Sequence, residues 1–215
     1  MQTLVVENSK SAKIVDFALG ITLDAMTPWG PASDITLIAT GITAYETPEG
    51  NTIKLSDKRN AMVHRMLRTE SGWYSEGAEY ATVIFTFPRY FTKNEHAVAL
   101  KEIKETYPFE YEQITGEALK PGESYLKDRT LFRKENAHRW VVISAIGSRM
   151  HPGMLECAAM LAGEHERQFW PGYETRLYLV PEQDYKEGKG MFGMVIDERR
   201  CIRMLGSEQS KMLGV

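Results

Sequence analysis

Ser144, Ser148 and His151 stand close together where the apolar run of Trp140 to Ile146 passes into a polar turn, in the stretch WVVISAIGSRMHPG. Such a group suggests acyl transfer. A serine hydroxyl becomes nucleophilic when an imidazole within hydrogen-bond reach takes its proton, and a carboxylate, here Glu156 or Asp197, would orient that imidazole. The stretch lacks the Gly-x-Ser-x-Gly elbow that holds a nucleophile in a strained turn. His151-Pro152-Gly153 equally suits a plain turn, and this is the favoured reading, with Arg149 beside it as a contact for a ligand or partner.

Three further groups carry chemistry by residue type. His151, Cys157 and His165 offer metal ligands, but zinc requires a tetrahedral set. Cys157 lies in a segment that reads as a strand, where it faces the core as a small apolar residue. No metal site and no cofactor are expected. Arg59, Glu76 and Glu79 could form an internal ion pair or the floor of a polar cleft; the pair is favoured, because a guanidinium on an apolar face is costly without a carboxylate. Lys54, Lys58, Arg65 and Arg68 precede the aromatic pair Trp73 and Tyr74. Cations beside stacking rings can grip a single strand or an acidic partner, whereas a charge run is more often a solvated helix face.

The elements that must position these groups follow from periodicity and punctuation. Ile35 to Thr43 is rich in β-branched residues and ends before the turn cluster Thr47-Pro48-Glu49-Gly50-Asn51, with Thr52 to Leu55 as its pairing strand. Ser56 or Asp57 caps a helix predicted to run to about Arg68. On its wheel Met62, Val63, Met66 and Leu67 share an arc that also takes in Arg59, while Lys58, Arg65 and Arg68 gather on another. Trp73 to Phe87 reads as a hairpin, or a loop followed by a strand. Thr92-Lys93-Asn94-Glu95 has the spacing of a capping box, opening a helix to Tyr107 that buries Ala97, Leu100, Ile103 and Tyr107. A short helix from Phe109 ends at Gly116, and Ser124 to Ala137 forms another whose charges, Arg129 and Arg133 among them, suit a solvated face. Strands are predicted at Trp140–Ile146, Met154–Leu161, Thr175–Val180 and Met191–Ile196.

Composition bounds the function classes. With 43% hydrophobic and 26% charged residues in 215, the chain has the balance of an ordinary globular protein. A formal net charge of −3 disfavours a protein that coats DNA, and is far too small for a DNA mimic. The two cysteines, Cys157 and Cys201, lack a CxxC partner, which suggests reduced thiols and a cytoplasmic setting. No segment approaches the roughly 20 apolar residues of a membrane span.

Several short motifs together point to a family. Trp73-Tyr74 with Glu76, Glu79 and Tyr80, then Phe87-Pro88, Tyr107-Pro108, Tyr111-Glu112, Thr115-Gly116, Pro121-Gly122-Glu123-Ser124, WVVISAIGSRMHPGM and Tyr178-Leu179-Val180-Pro181 resemble a bacterial domain of unknown function borne on phages, plasmids and integrative elements. The resemblance covers roughly residues 25 to 202 and brings no established activity. The family pattern has a His-Gly-Gly turn near Glu49-Gly50-Asn51 and a more acidic cluster after the Trp-Tyr pair; this chain lacks the turn histidine and has Ser75 and Gly77 where acids are expected.

Helices in the middle and strands towards both ends predict an α+β fold: a mostly antiparallel sheet with three to four helices packed on it. Residues 1–24 read as an N-terminal annex, 25–205 as one domain and 206–215 as a flexible tail. The expected function is binding, to a host protein or nucleoprotein complex, in the setting of interference with a host defence. Lys58, Arg65, Arg68, Trp73, Tyr74 and Arg149 are its candidate contacts. Direct nucleic-acid contact is expected only through the local basic patch, no membrane association is expected, and a homodimer is compatible with the sequence. The alternatives are a small hydrolase or nuclease whose cleft joins Arg59, Glu76 and Glu79 to Ser148 and His151, and an accessory subunit with a symmetric apolar interface.

Overall fold

The β-branched run after Asp34 does fold as strands, but it turns back sooner than its composition suggests. In the computed structural model, which describes residues 26–163 and 174–204 and the backbone of 13–16 and 21–24, the chain reverses at Thr40-Gly41. Gly41 has φ +78°, and a Cβ there would collide with the Ser56 hydroxyl and lie 3.0 Å from Cγ of Arg59. Only glycine tolerates both constraints. The predicted single strand is therefore two.

The chain divides into two compact units, Met1–Ser124 and Tyr125–Val215. In the first, β1 (Lys13–Asp16) pairs with β2 (Ile21–Asp24), and β3 (Met26–Thr27) with β4 (Gly30–Pro31). Strands β5 (Asp34–Ala39), β6 (Ile42–Thr47), β7 (Gly50–Leu55) and β8 (Trp73–Tyr74) form an antiparallel sheet in that order. Ile42, Ile53 and Leu55 pack with Val63, Leu67, Tyr74, Val83 and Phe87 as its core.

The helix predicted from Asp57 to Arg68 stops after one turn. Ser56 caps α1 (Asp57–Asn60) through its side chain, as expected. Beyond it the backbone carbonyls find side-chain partners instead of helical amides. The Arg68 guanidinium donates to the carbonyls of Val63 (3.0 Å) and Ala61 (2.8 Å), and the Asn60 side chain donates to the carbonyl of Thr69. Val63 and Leu67 are still buried, but Met62 and Met66, expected on the same arc, are exposed.

A larger correction concerns residues 78–86, where α2 (Ala78–Thr86) replaces the expected strand. On a wheel its polar residues Glu79, Thr82 and Thr86 share one arc, as in an amphipathic helix, but Thr82 is buried with Ala81, Val83 and Ile84, and the β-branched and aromatic run through Phe87 suits a strand equally well. Thr82 and Thr86 settle their hydroxyls on the carbonyls of Ala78 and Thr82. After a 3₁₀ turn at Pro88–Tyr90, α3 (Lys93–Thr106) begins with the predicted capping box, Thr92 accepting from the Glu95 amide and Glu95 from the Thr92 amide. Ala99 and Ile103 are its buried positions, Leu100 is partly buried, and Ala97 is exposed. Helix α4 (Pro108–Thr115) ends at Gly116 with φ +75°, as its spacing predicts.

The second unit opens with α5 (Tyr125–Glu135). Strands β9 (Trp140–Gly147), β10 (Met154–Leu161) and β11 (Arg176–Pro181) lie close to their predicted bounds. With β14 (Ile202–Arg203) they form an antiparallel sheet ordered β14-β11-β10-β9. Helix α6 (Glu182–Gly188), absent from the sequence reading, precedes a small hairpin of β12 (Lys189–Gly190) and β13 (Gly193–Met194). That hairpin shortens the predicted strand 191–196, whose Val195 makes an isolated bridge to Val141. The class is α+β, with antiparallel sheets and helices drawn largely from the middle of the chain. The strands near the two ends do not share a sheet: among the described residues three sheets belong to the first unit and two to the second. The expected flexible tail lies outside the described residues, as does most of the annex. Among the described residues no helix is long and apolar enough to cross a membrane.

Candidate functional site

The β9–β10 turn carries Ser148 and His151, and its hydrogen bonds explain both. The Ser148 hydroxyl donates to Oε1 of Glu156 at 2.7 Å and accepts from the backbone amide of His151 at 3.1 Å. The Ser148 amide donates to the Met154 carbonyl and the Met154 amide to that of His151. It is the backbone of His151, with its side chain exposed, that meets the serine. An imidazole base would have to receive the proton that Ser148 directs at Glu156. Asp197, the other proposed orienting acid, accepts from the amide of Arg199 in its own turn. Ser144 and Arg149 are exposed.

Of the predicted metal ligands, Cys157 is buried in the core of the second unit with Cys201 in the same cluster, and His165 lies outside the described residues. Burial pushes the Cys157 thiol up to about 12, so it stays protonated at neutral pH.

Arg59 meets different partners from those expected. Its Nε donates to the Thr40 carbonyl at 3.0 Å, its Nη2 donates to the Tyr90 hydroxyl at 2.9 Å, and the guanidinium lies 5.5 Å and 5.2 Å from the ring centres of Phe87 and Tyr90. Aromatic faces and a carbonyl take the role predicted for a carboxylate. Hydrogen bonds from Arg59 and Arg89 hold the Tyr90 phenol below its ordinary value. Glu79 caps the chain before α2, accepting from both the amide and hydroxyl of Ser75 at 2.8 Å. Glu76 is exposed and leans over Gly50, where φ is +119° and a Cβ would strike its carboxylate.

The predicted basic and aromatic contacts are dispersed. Lys58 and Arg65 are exposed, whereas Arg68 is committed to the Ala61 and Val63 carbonyls. Tyr74 is 0% exposed, its hydroxyl donating to Asn60 and accepting from the Thr69 amide, and burial raises its phenol. Trp73 remains half-buried against Tyr45 and edge-on to Trp29, with the Lys54 ammonium 5.1 Å above its ring.

Two concavities emerge that residue spacing did not single out. The first, of about 370 Å³, lies between α2 and α3. Ala81, Ile84, Val98 and Ala99 give it an apolar floor, and Glu76, Glu95 and Glu102 contribute carboxylates with Asn51 and Asn94 beside them. Val98 is 62% exposed there. The Glu49-Gly50-Asn51 turn and the segment after Trp73-Tyr74 both reach this cleft, Asn51 and Glu76 lining it and the Glu76 carboxylate lying over Gly50. The second cavity, of about 260 Å³, lies in the second unit against α5 and β9. Tyr125, Arg129, Phe132 and Arg133 form its helical wall, a stripe at i, i+4, i+7 and i+8 that the sequence does display; its charges disguised it as a solvated face.

No curated protein and no solved structure matches the chain. A family profile described as a domain of unknown function (DUF7007) matches residues 22–137, which takes in the whole α2–α3 cleft and more than half of the sequence. The chain therefore belongs to the DUF7007 family.

Proposed function

We propose that this protein works by binding, in the cytoplasm, and that the α2–α3 cleft is its docking face for a Lys- or Arg-bearing segment of a host protein or nucleoprotein complex. The observation that carries the reading is the cleft itself: an apolar floor with Val98 exposed, bordered by Glu76, Glu95 and Glu102. Exposed apolar surface rimmed by charge of one sign favours an amphipathic partner of the opposite sign. The resemblance to domains borne on phages, plasmids and integrative elements supports interference with a host defence as the setting. The hydrolase or nuclease reading draws less support. Ser148, Glu79 and Arg59 each hold a hydrogen bond that organises local backbone, and Arg59, Glu76 and Glu79 belong to one unit while Ser148 and His151 belong to the other.

The test is affinity capture from host lysate followed by reconstitution with the purified partner. The wild-type protein is expected to form a defined complex that Val98→Glu and Glu76→Lys weaken by about tenfold or more, the scale of a lost central contact. Lys58→Ala with Arg65→Ala should leave it intact. Self-association alone, or a complex indifferent to Val98→Glu and Glu76→Lys, would overturn the assignment of the cleft.

A further inference from the structure

The cavity of the second unit combines features that the α2–α3 cleft lacks. Its helical wall packs Tyr125 and Phe132 against Phe192 from the β12–β13 hairpin, with ring centres 5.2 Å and 5.5 Å from that of Phe192 and planes inclined at 55° and 40°. The Arg129 guanidinium lies 5.7 Å from the Tyr125 ring centre. Arg133 brings a second guanidinium to the lining. Among the described residues, Nε of Arg129 is a buried side-chain donor with no acceptor in the protein. Native structures rarely leave such a donor unpaired, and when they do the group often has a use.

The backbone is shaped around the same cavity. Gly193 has φ +107°, and a Cβ there would lie 2.8 Å from both Cγ1 of Val141 and the Val142 carbonyl. Glycine alone lets the hairpin close onto β9 and bring Phe192 to the lining. Met191, also lining the cavity, is 75% exposed. It is an unbranched side chain well suited to cover a ligand.

From this arrangement we infer that the second unit binds a small flat anion, a single ring system carrying one carboxylate or phosphate. The two terminal nitrogens of Arg129 would take the oxyanion, since guanidinium N–H groups pair with planar oxyanions in two parallel bonds, while the buried Nε stays behind them. The aromatic side chains would take the ring by stacking or edge contact. A cavity of about 260 Å³ lies just below the usual range of ligand sites, roughly 300–1,000 Å³, which excludes a dinucleotide or an extended chain. The Arg129 guanidinium at the lining disfavours a cation. The inference is independent of the docking face proposed for the first unit.

Titration calorimetry and thermal shift on the full chain test it with two arms: aromatic carboxylates such as benzoate and indole-3-carboxylate, and aryl phosphates such as phenyl phosphate. Phenol, benzamide, acetate and inorganic phosphate serve as comparators. At least one ring-bearing anion should bind with 1:1 stoichiometry and raise Tm, about tenfold more tightly than its neutral or ring-free counterpart. The responsive arm identifies carboxylate or phosphate. Arg129→Met and Phe192→Ala should each weaken binding by about tenfold or more, and Arg149→Ala should not. Arg129→Met also removes the unpaired buried donor, so the ligand-free Tm should hold or rise while binding is lost, a trade that a structural arginine would not make. Absence of binding across the panel, equal binding of neutral counterparts, binding indifferent to Arg129→Met, or a fall in the ligand-free Tm of that variant would each overturn the assignment.

Discussion

Ser148 illustrates how a residue type suggests chemistry while its hydrogen bonds describe architecture. Its hydroxyl ties the β9–β10 turn together through the His151 amide and Glu156, and the Glu182 amide donates to the Gly153 carbonyl of the same turn. Ser148→Ala should lower stability by about 1–2 kcal/mol, the cost of removing such a partner from groups left partly buried, and should leave partner binding unchanged. Urea titration checks the first expectation and the reconstituted complex the second. Loss of an activity with stability intact would restore the serine to a catalytic role. Arg68 and Tyr74 teach the same lesson. Their types and positions suggested a contact surface, yet the guanidinium is spent on local carbonyls and the phenol is buried. Residue type was legible in the sequence; the acceptor each donor reaches was not, because it depends on where the chain turns.

Elements were legible where a local signal sufficed. The Thr92–Glu95 box, the left-handed Gly116 and the apolar runs of β9 and β10 all appear as expected, since each depends on residues within a few positions. The box also carries a pH dependence. Hydrogen bonds from the Thr92 hydroxyl, and then from its amide, hold the Glu95 carboxyl below the ordinary carboxylate value. A depressed carboxylate stabilises fully above its unfolded value and loses that contribution as pH falls through its own lower value. Wild type should therefore exceed Glu95→Gln in stability at neutral pH, with the margin closing in acid below the ordinary carboxylate range. Urea midpoints across that range measure it, and a margin unchanged in acid would contradict the assignment. Because Glu95 is largely exposed, solvent screening keeps the effect small. Helix α1 ends early where Arg68 takes the carbonyls of Ala61 and Val63 just past it, and α2 resists local reading because its β-branched and aromatic run suits a strand as well as the helix whose polar arc is Glu79, Thr82 and Thr86.

At the scale of the whole molecule, a net charge of −3 meets a surface whose expected basic patch is reduced, with Arg68 engaged and Lys58 and Arg65 left exposed. Arg68 keeps its charge against neutral carbonyls, yet three cations still release too few counterions to hold a duplex at physiological salt. Fluorescence anisotropy with labelled duplex DNA should show no saturable binding there, and Lys58→Ala with Arg65→Ala should change nothing. Salt-sensitive saturation lost in that variant would revive nucleic-acid contact. The charge that matters is local instead: carboxylates bordering the α2–α3 cleft and guanidinium groups lining the cavity of the second unit.

By itself the sequence determined the α+β class, the Thr92 and Gly116 helix ends and strands β9, β10 and β11, because these follow from backbone preference and short-range patterns of apolar and polar residues. Tertiary structure alone decided that strands near the two ends form separate sheets, that residues 78–86 are helical, and that Tyr125, Arg129 and Phe132 meet Phe192 around one cavity. Those outcomes depend on burial and on contacts between segments distant in the chain, and no local pattern records which distant side chains will share a space.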